Sequence, residues 1–537
     1  MVGPTGPPHG RLGRTPNRAH NRMDHRPNIP DPTPREQADP RRGSHDVLVL
    51  GGGPAGCAAA TLLARRAHRV ALVRPFTPPG AGLAESIPPS ARRVLEELGA
   101  LEAVDDAGFH PNRGNAVWWA GGPLRREEFA SDTEGFHTDR ASLESVLVSV
   151  AEAAGVHVHH STTARSAERN EDEWIVACSG ESGGGELSAP WVVDATGRHG
   201  FLARPDRVPD RSTTTLALVR RWRKPGGWSD DLEHHTLVES YERGWAWSLP
   251  LSPELRCVTA MIDQRHTNAA GLELDGLLDA ELDRTIHVGA TRHGAEPVGS
   301  AWACPASLYT SDRFARRGLL LAGEAGSSID PLSSFGVKKA LSSGWLAGIA
   351  AHTALVDPTM ADAAVDFFDR REREVYHRYR AISAGFFEEG AEAYGTEFWT
   401  ARAEAARTFS DDVALGERDP DRLGTDVPKA AILAAFEELK ARERLSASRG
   451  RSVTAVERAA IDGHRIVLKE HLATDAYPEG LRFWRGVDLF LLVEVAPKHA
   501  EVPDGWTAYN AVAPPVTLPD YLTALATAFA AGLLEHE

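Results

Sequence analysis

Cysteine is scarce in this chain of 537 residues, with four in all, at Cys57, Cys178, Cys257 and Cys304. They stand far apart, which excludes a disulfide framework and the Cys-x-x-Cys spacing of a zinc ribbon or dithiol redox site. An excess of positive charge is also missing. The 59 Lys and Arg face 75 Asp and Glu, for a formal net charge of −16, so there is no basic stripe of the kind that answers nucleic-acid phosphates. No apolar run approaches the roughly 18–20 residues of a membrane span, and the amino terminus has no apolar stretch resembling a secretory signal. The expectation is a cytoplasmic protein with neither nucleic acid nor membrane as partner. What is present, 42% hydrophobic and 25% charged residues, is globular composition, and at about 100–200 residues per domain the length implies about two to four domains.

Residues 1–44 carry nine prolines and eight arginines and almost nothing that could pack a core, which reads as a disordered leader. Met23 within it is a second candidate start. The fold is expected to begin at Asp46. Val47-Leu48-Val49-Leu50 has the unbroken apolar character of a strand buried in a parallel sheet. Gly51-Gly52-Gly53-Pro54-Ala55-Gly56 follows, then an Ala/Leu helix from Cys57 to Arg66 and a second strand, Arg69–Val73. This is a strand-helix-strand unit with Gly-x-Gly-x-x-Gly in its first turn. Gly51 allows the tight turn, Gly53 lets backbone approach a pyrophosphate, Gly56 lets helix and strand close together, and the helix N-terminus, with Ala55 in the loop leading into it, faces the anion. The second strand ends Val73-Arg74-Pro75, without the acid that usually takes the ribose hydroxyls; Arg74 either contacts the adenosine half or makes no contact.

Two distant segments favour FAD over NAD. Trp191–Arg198 reads as a strand and turn returning to the nucleotide. Gly318–Gly326 is an apolar strand ending in Gly323-Glu324, followed by Ser327–Pro331 and a helix from about Gly336 to Leu355. Glu324 is placed to accept from ribityl hydroxyls, and the Gly336 helix N-terminus, with Val337 beside it, to face the flavin pyrimidine edge.

Gly51–Gly56, Glu85-Ser86-Ile87-Pro88, Asp194–Arg198 and Gly323 through Asp330-Pro331 to Gly336 together resemble the FAD-dependent monooxygenases of the flavin-halogenase and geranylgeranyl-reductase-like group, over residues 46–400. The resemblance implies an α/β fold: an FAD-binding, Rossmann-like domain of glutathione-reductase type at 45–409, interleaved with a β-rich substrate domain at approximately 110–140 and 205–310. A linker at 410–428 and a small α+β accessory domain at 429–537, winged-helix-like in outline, complete the expected organisation. It also implies that Glu85, Ser86 and Arg140 lie near the flavin and that Pro331 lines its reactive face. Glu324 stands where the family usually has aspartate.

Two markers then separate the chemistries. Gly244-Trp245-Ala246-Trp247-Ser248-Leu249-Pro250 is similar to the Trp-x-Trp-x-Ile-Pro signature of flavin halogenases. Their relay lysine, however, has no counterpart in residues 109–119, where Arg113 is the nearest equivalent, and a guanidinium with a pKa above about 12 cannot easily lose a proton. The Arg-Gly-Asn run, His137-Thr138-Asp139-Arg140 and Asp330–Gly336 instead resemble the maturation monooxygenases that accompany quinone-cofactor amine dehydrogenases and oxidases. The activity implied is hydroxylation of an electron-rich aromatic, indole or phenol, free or on a peptide or carrier, through a C4a-hydroperoxyflavin. O2 is the co-substrate, and NAD(P)H acts through a separate flavin reductase, since no second dinucleotide fingerprint is visible. A halogenase, an FAD-dependent reductase or dehydrogenase, and a non-catalytic FAD-binding protein are the alternatives.

Glu85 is a candidate general base, a flavin ligand or a helix cap. Lys338, with Lys339 beside it, either approaches the flavin or belongs to a solvated helix face. His157, His159 and His160 cluster on an expected strand without an acid or cysteine at ligand spacing, so no metal is expected. The aromatic residues of Ala361–Arg407 either pack the core or wall the pocket. Beyond the linker, Lys429–Arg444 and Pro519–Glu535 are expected helices and Val487–Val493 an apolar strand.

Overall fold

A computed structural model describes residues 45–78, 82–130, 134–181, 183–210, 214–228, 231–265, 273–412, 427–442 and 444–536. The expected leader and most of the expected linker lie outside the described residues.

The four residues Val47–Leu50 are fully buried, and burying an aliphatic side chain contributes about 1.5–3 kcal/mol. They form a central strand of a six-stranded sheet. Its order is Ala315–Arg316, Leu319–Leu321, Trp191–Asp194, Val47–Leu50, Val70–Val73 and His157–His159, parallel except for the first. Leu50 registers with Asp194 and Asp194 with Leu321, so three segments remote in sequence end side by side at the carboxyl edge. That edge is where open parallel sheets bind ligands. The helices Pro54–Arg65 and Gly336–Val356 share one apolar core with the sheet. Their buried faces are rich in alanine, which lets the two axes approach.

A second, seven-stranded sheet draws its strands from 114–128 and 215–305, in the order Glu296–Pro305, Thr215–Arg223, Leu255–Asp263, Gly244–Ser252, His235–Tyr241, Gly114–Trp118, Arg125–Glu128. Helices Ala361–Tyr394 and Glu397–Asp412 bring Phe387, Phe398 and Trp399 against it.

Residues 427–536 carry a further apolar cluster, with an antiparallel sheet of Thr454–Asp462, Arg465–Thr474 and Tyr477–Leu481. The helices expected there run Lys429–Lys440 and Leu518–Ala530. The strand expected at Val487–Val493 is not formed. Only Val487–Asp488 is extended, and Leu489–Val495 is a helix, because the Asp488 carboxylate accepts from Phe490 N at 2.9 Å and caps it. Among the described residues no helix is long and apolar enough to cross a membrane.

Candidate active site

The turn after the first strand is shaped by its glycines. Gly51 has φ +107°, and a Cβ on it would collide with the Ala195 carbonyl; a Cβ on Gly56 would collide with Gly51. Gly53 differs, since a Cβ there would meet only Glu144 Oε1, at 3.5 Å. The space over Gly53 is thus a cradle open to a ligand, at the N-terminus of a twelve-residue helix. Arg74 folds back over the same loop, lying against Gly52. The second strand ends without an acid, but one stands near the loop from elsewhere in the chain: Glu144, on the helix Arg140–Ala153, lies beside Gly53. Burial raises its pKa against the pull of Arg140 and Arg74. No local pattern marks Glu144 in the sequence; the only signal was that the strand ended in a cation.

The strands Ala84–Ile87 and Gly135–Asp139 pair antiparallel with Glu85 opposite Thr138. Asp139 caps the following helix, its side chain accepting from Ser142 N at 3.0 Å, which sets Arg140 at the first helical position. There Arg140 donates from Nε and Nη2 to Glu85 Oε1, at 2.8 and 2.5 Å. Burial pushes the Glu85 carboxyl up, with Arg140 opposing, while Glu85 holds the guanidinium charged. Ser86 is tied on the other side, its hydroxyl 2.8 Å from Thr236 Oγ1 and accepting from Asn112 Nδ2 at 3.0 Å. His137, fully buried and held well below the usual histidine pKa by desolvation, also bonds Thr236 Oγ1, at 2.9 Å. This polar cluster of His137, Thr236 and Asn112 was not anticipated. A cleft of about 450 Å³ lies against Phe109, His137, Thr138 and Leu251.

At the sheet's carboxyl edge, Glu324 lies 3.6 Å from the Arg198 guanidinium, and Tyr309 donates to its carbonyl at 2.6 Å. Asp194, fully buried, is a turn organiser that accepts from Thr196 N, Leu202 N and Ala203 N. Asp330 accepts from Leu332 N at 3.0 Å, shaping the Pro331–Ser333 turn, and desolvation raises its pKa to about 6. Gly336 opens the long helix, with nothing within 4 Å of an added Cβ, and Val337 is buried behind it. The two lysines part company. Lys338 lies over the Phe335 ring at 5.0 Å. Lys339 is buried, donating to Gly323 O at 2.7 Å, Ser327 O at 2.9 Å and Ser327 Oγ at 3.0 Å, with Glu372 at 3.8 Å. Lys339 therefore locks the Gly323 turn to the helix.

Trp245 and Trp247 share one face of the strand Gly244–Ser252, with ring centroids 5.0 Å apart. Trp245 packs in a cluster with Trp119, Phe387, Phe398 and Trp399, and the Trp247 indole nitrogen is buried with no hydrogen-bond partner. The helical aromatics thus meet the Trp-x-Trp strand. Arg113 does not join it; its half-exposed side chain donates from Nε to Glu134 Oε1 at 2.8 Å.

The geometry defines a halogenase-like flavoprotein: a glycine-loop parallel sheet, acids converging on its carboxyl edge, and a tryptophan-rich second sheet beside it. The chain belongs to the tryptophan halogenase family, which matches residues 125–415. It is 29% identical over 381 residues to a tryptophan 2-halogenase of Chondromyces crocatus, covering 67% of this chain and 70% of that one. Two solved structures share its fold. One is CmlS, a flavin-dependent halogenase (TM-score 0.73, 20% identity, 91% of this chain and 95% of that one). The other is the peptidyl tryptophan dihydroxylase QhpG, essential for tryptophylquinone cofactor biogenesis (TM-score 0.61, 21% identity, 91% and 99%). The family implies FAD, and the residues present fit it: an open cradle at Gly53 for the pyrophosphate, and the carboxylates Glu144 and Glu324 to accept from ribose and ribityl hydroxyls.

Proposed function

We propose that the protein is an FAD-dependent monooxygenase that hydroxylates an electron-rich aromatic of indole or phenol type, free or carried on a peptide or carrier protein. The observation that carries this reading lies where the resemblance puts a relay lysine. Residues 109–119 contain none, and Arg113 is spent on a surface ion pair with Glu134. Of the two lysines after the flavin loop, Lys339 is sealed among carbonyls. FAD, when bound and reduced by NAD(P)H through a separate flavin reductase, supplies the O2 chemistry. The chain's residues do the rest. Gly53 and the helix N-terminus hold the pyrophosphate, and Arg74, Glu144 and Glu324 orient the sugar portions. The Arg140–Glu85 pair, with Ser86, fixes the strand beside the flavin. Pro331, Gly336 and Val337 shape the loop over the ring, and the Trp245–Trp247 face excludes water from the substrate pocket. Glu85 is the candidate base for a substrate proton. The seven-stranded sheet serves as substrate domain, and residues 429–537 as an accessory domain.

Halogenation is the second reading, favoured by the Trp245-x-Trp247 strand and by the tryptophan 2-halogenase relative. Protein supplied with a flavin reductase, NADH, O2 and either bromide or chloride is to be incubated with indole and phenol acceptors and with tryptophan-containing peptides. Products gaining one or two oxygens, independent of halide, are expected by mass spectrometry. Robust bromination by the wild type would refute hydroxylation in favour of the second reading.

A further inference from the structure

We propose that His45, His157 and His159 form a binding site for one divalent cation of the zinc class, separate from the flavin chemistry. His157 and His159 are two apart on the edge strand of the parallel sheet, so both rings project from one face. His45 comes from the opposite end of the sequence order, at the entry to the central strand, where its backbone N–H donates to Ser188 O at 3.3 Å. One nitrogen from each imidazole lies within 4.8 Å of the other two. The ring centroids of His157 and His159 are 4.3 Å apart, and His45 stands 6.0 and 6.5 Å from them.

Three rings crowded this closely need a reason. The second observation supplies one: His159 Nε2 is buried and has no hydrogen-bond partner. Leaving a buried polar nitrogen unpaired is costly, and a metal ion removes that cost. Zinc binds imidazole nitrogen at about 2.0–2.1 Å, which requires the three nitrogens to draw in to roughly 3.3–3.5 Å of one another. The His157 ring, being exposed, can turn to make that change. Asp46, next to His45, does not take the fourth position, since it accepts from Arg69 N at 2.9 Å and from its Nη2 at 3.1 Å. Water completes the tetrahedron. The neighbouring His160 is not a ligand, because its Nε2 is committed to Glu152 at 2.7 Å.

The consequence is a clasp. Metal held here ties the residue that enters the fold to the far edge of the sheet, and so resists fraying of that strand. The His159 carbonyl accepts from Arg74 N at 3.1 Å, which joins the clasp to the end of the strand whose side chain covers the glycine loop.

Full-length protein stripped with a chelator is to be titrated with Zn2+ by calorimetry in a non-coordinating buffer, with Co2+ absorption as a second readout of tetrahedral nitrogen ligation. One ion per chain is expected, with a raised thermal midpoint on binding. His157→Ala and His159→Ala should each weaken binding roughly tenfold or more, since losing a ligand costs at least what losing its support costs. His160→Ala should bind as the wild type does. Metal-free melts of the variants that match the metal-free wild type establish that they fold. Absence of stoichiometric Zn2+ binding by the wild type, or undiminished binding by the His157→Ala/His159→Ala double variant, overturns the proposal. Neither result touches the flavin assignment, which is read separately from flavin content.

Discussion

At Gly53 the protein itself leaves room for a Cβ, so on the proposed assignment only the pyrophosphate would contest that space, whereas at Gly56 the protein keeps a side chain out. Gly53→Ala should therefore fold and keep part of its flavin. Gly53→Asp places a carboxylate beside Glu144 and at the closest approach of an anionic pyrophosphate. It should purify folded but colourless, and full flavin occupancy in that variant would show the cradle to be misassigned. Arg140 and Glu85 make a second residue-scale case. Replacing Arg140 by Met leaves a carboxyl whose pKa burial already raises without its cation, at a cost of about 1–3 kcal/mol. A raised folded pKa means stability is present at low pH and lost as pH rises, so the penalty in urea unfolding should be larger at pH 8 than at pH 5. An equal penalty at both would mean the Glu85 carboxyl is not the group left exposed to the change. The glycines and Glu324 were legible as candidates because each sits in a local pattern with a mechanical reason, and Glu85 through the resemblance of its Glu-Ser-x-Pro stretch; their roles toward FAD belong to the proposal. Glu144 was not legible, since its approach to Gly53 depends on where a later helix crosses the loop.

Local motifs also explain which elements could be read and which could not. The strand-helix-strand unit announced itself through an apolar run followed by a glycine turn, and the structure forms it at Val47–Val73. The run Val487–Val493 carries the same apolar content, and a short apolar stretch cannot be assigned by periodicity alone. What decides it is Asp488, whose Oδ1 accepts from Phe490 N while Oδ2 accepts from Arg482 at 2.6 Å. Asp488→Ala should therefore destabilise the protein by about 0.5–2 kcal/mol, as loss of an N-cap does, and Asp488→Asn by less, because an amide oxygen can still cap. Urea denaturation monitored by tryptophan fluorescence compares the two. Equal losses would assign the effect to the Arg482 pair instead of the cap.

Across the whole molecule, two adjacent contacts join three regions that are remote in sequence. His68, just past the glycine-loop helix, bonds through Nε2 to His352 Nδ1 at 2.8 Å. His352 lies on the helix that follows the flavin loop, and the next residue, Thr353, accepts from Ile466 N of the C-terminal sheet at 2.9 Å. Sequence could not show this, because a histidine on an apolar helix has no pattern until its partner is in place. The pair has a chemical condition: one ring must donate and the other accept, so it requires a neutral imidazole. Burial, with His68, Arg66, Arg465 and His464 around it, lowers the His352 pKa to about 3. The unfolded chain takes up this proton near the ordinary value of about 6.5, the folded chain not until about 3. The stability it lends is thus fully present above about 6.5 and is lost progressively as pH falls toward 3. At pH 5, about 1.5 units below the unfolded value, the loss amounts to about 2 kcal/mol relative to neutral pH. The loss of unfolding free energy between pH 7 and pH 5 should be larger in the wild type than in His352→Gln, whose amide does not titrate, by about that amount. If both proteins lose the same amount on acidification, the histidine pair is not where the acid sensitivity resides.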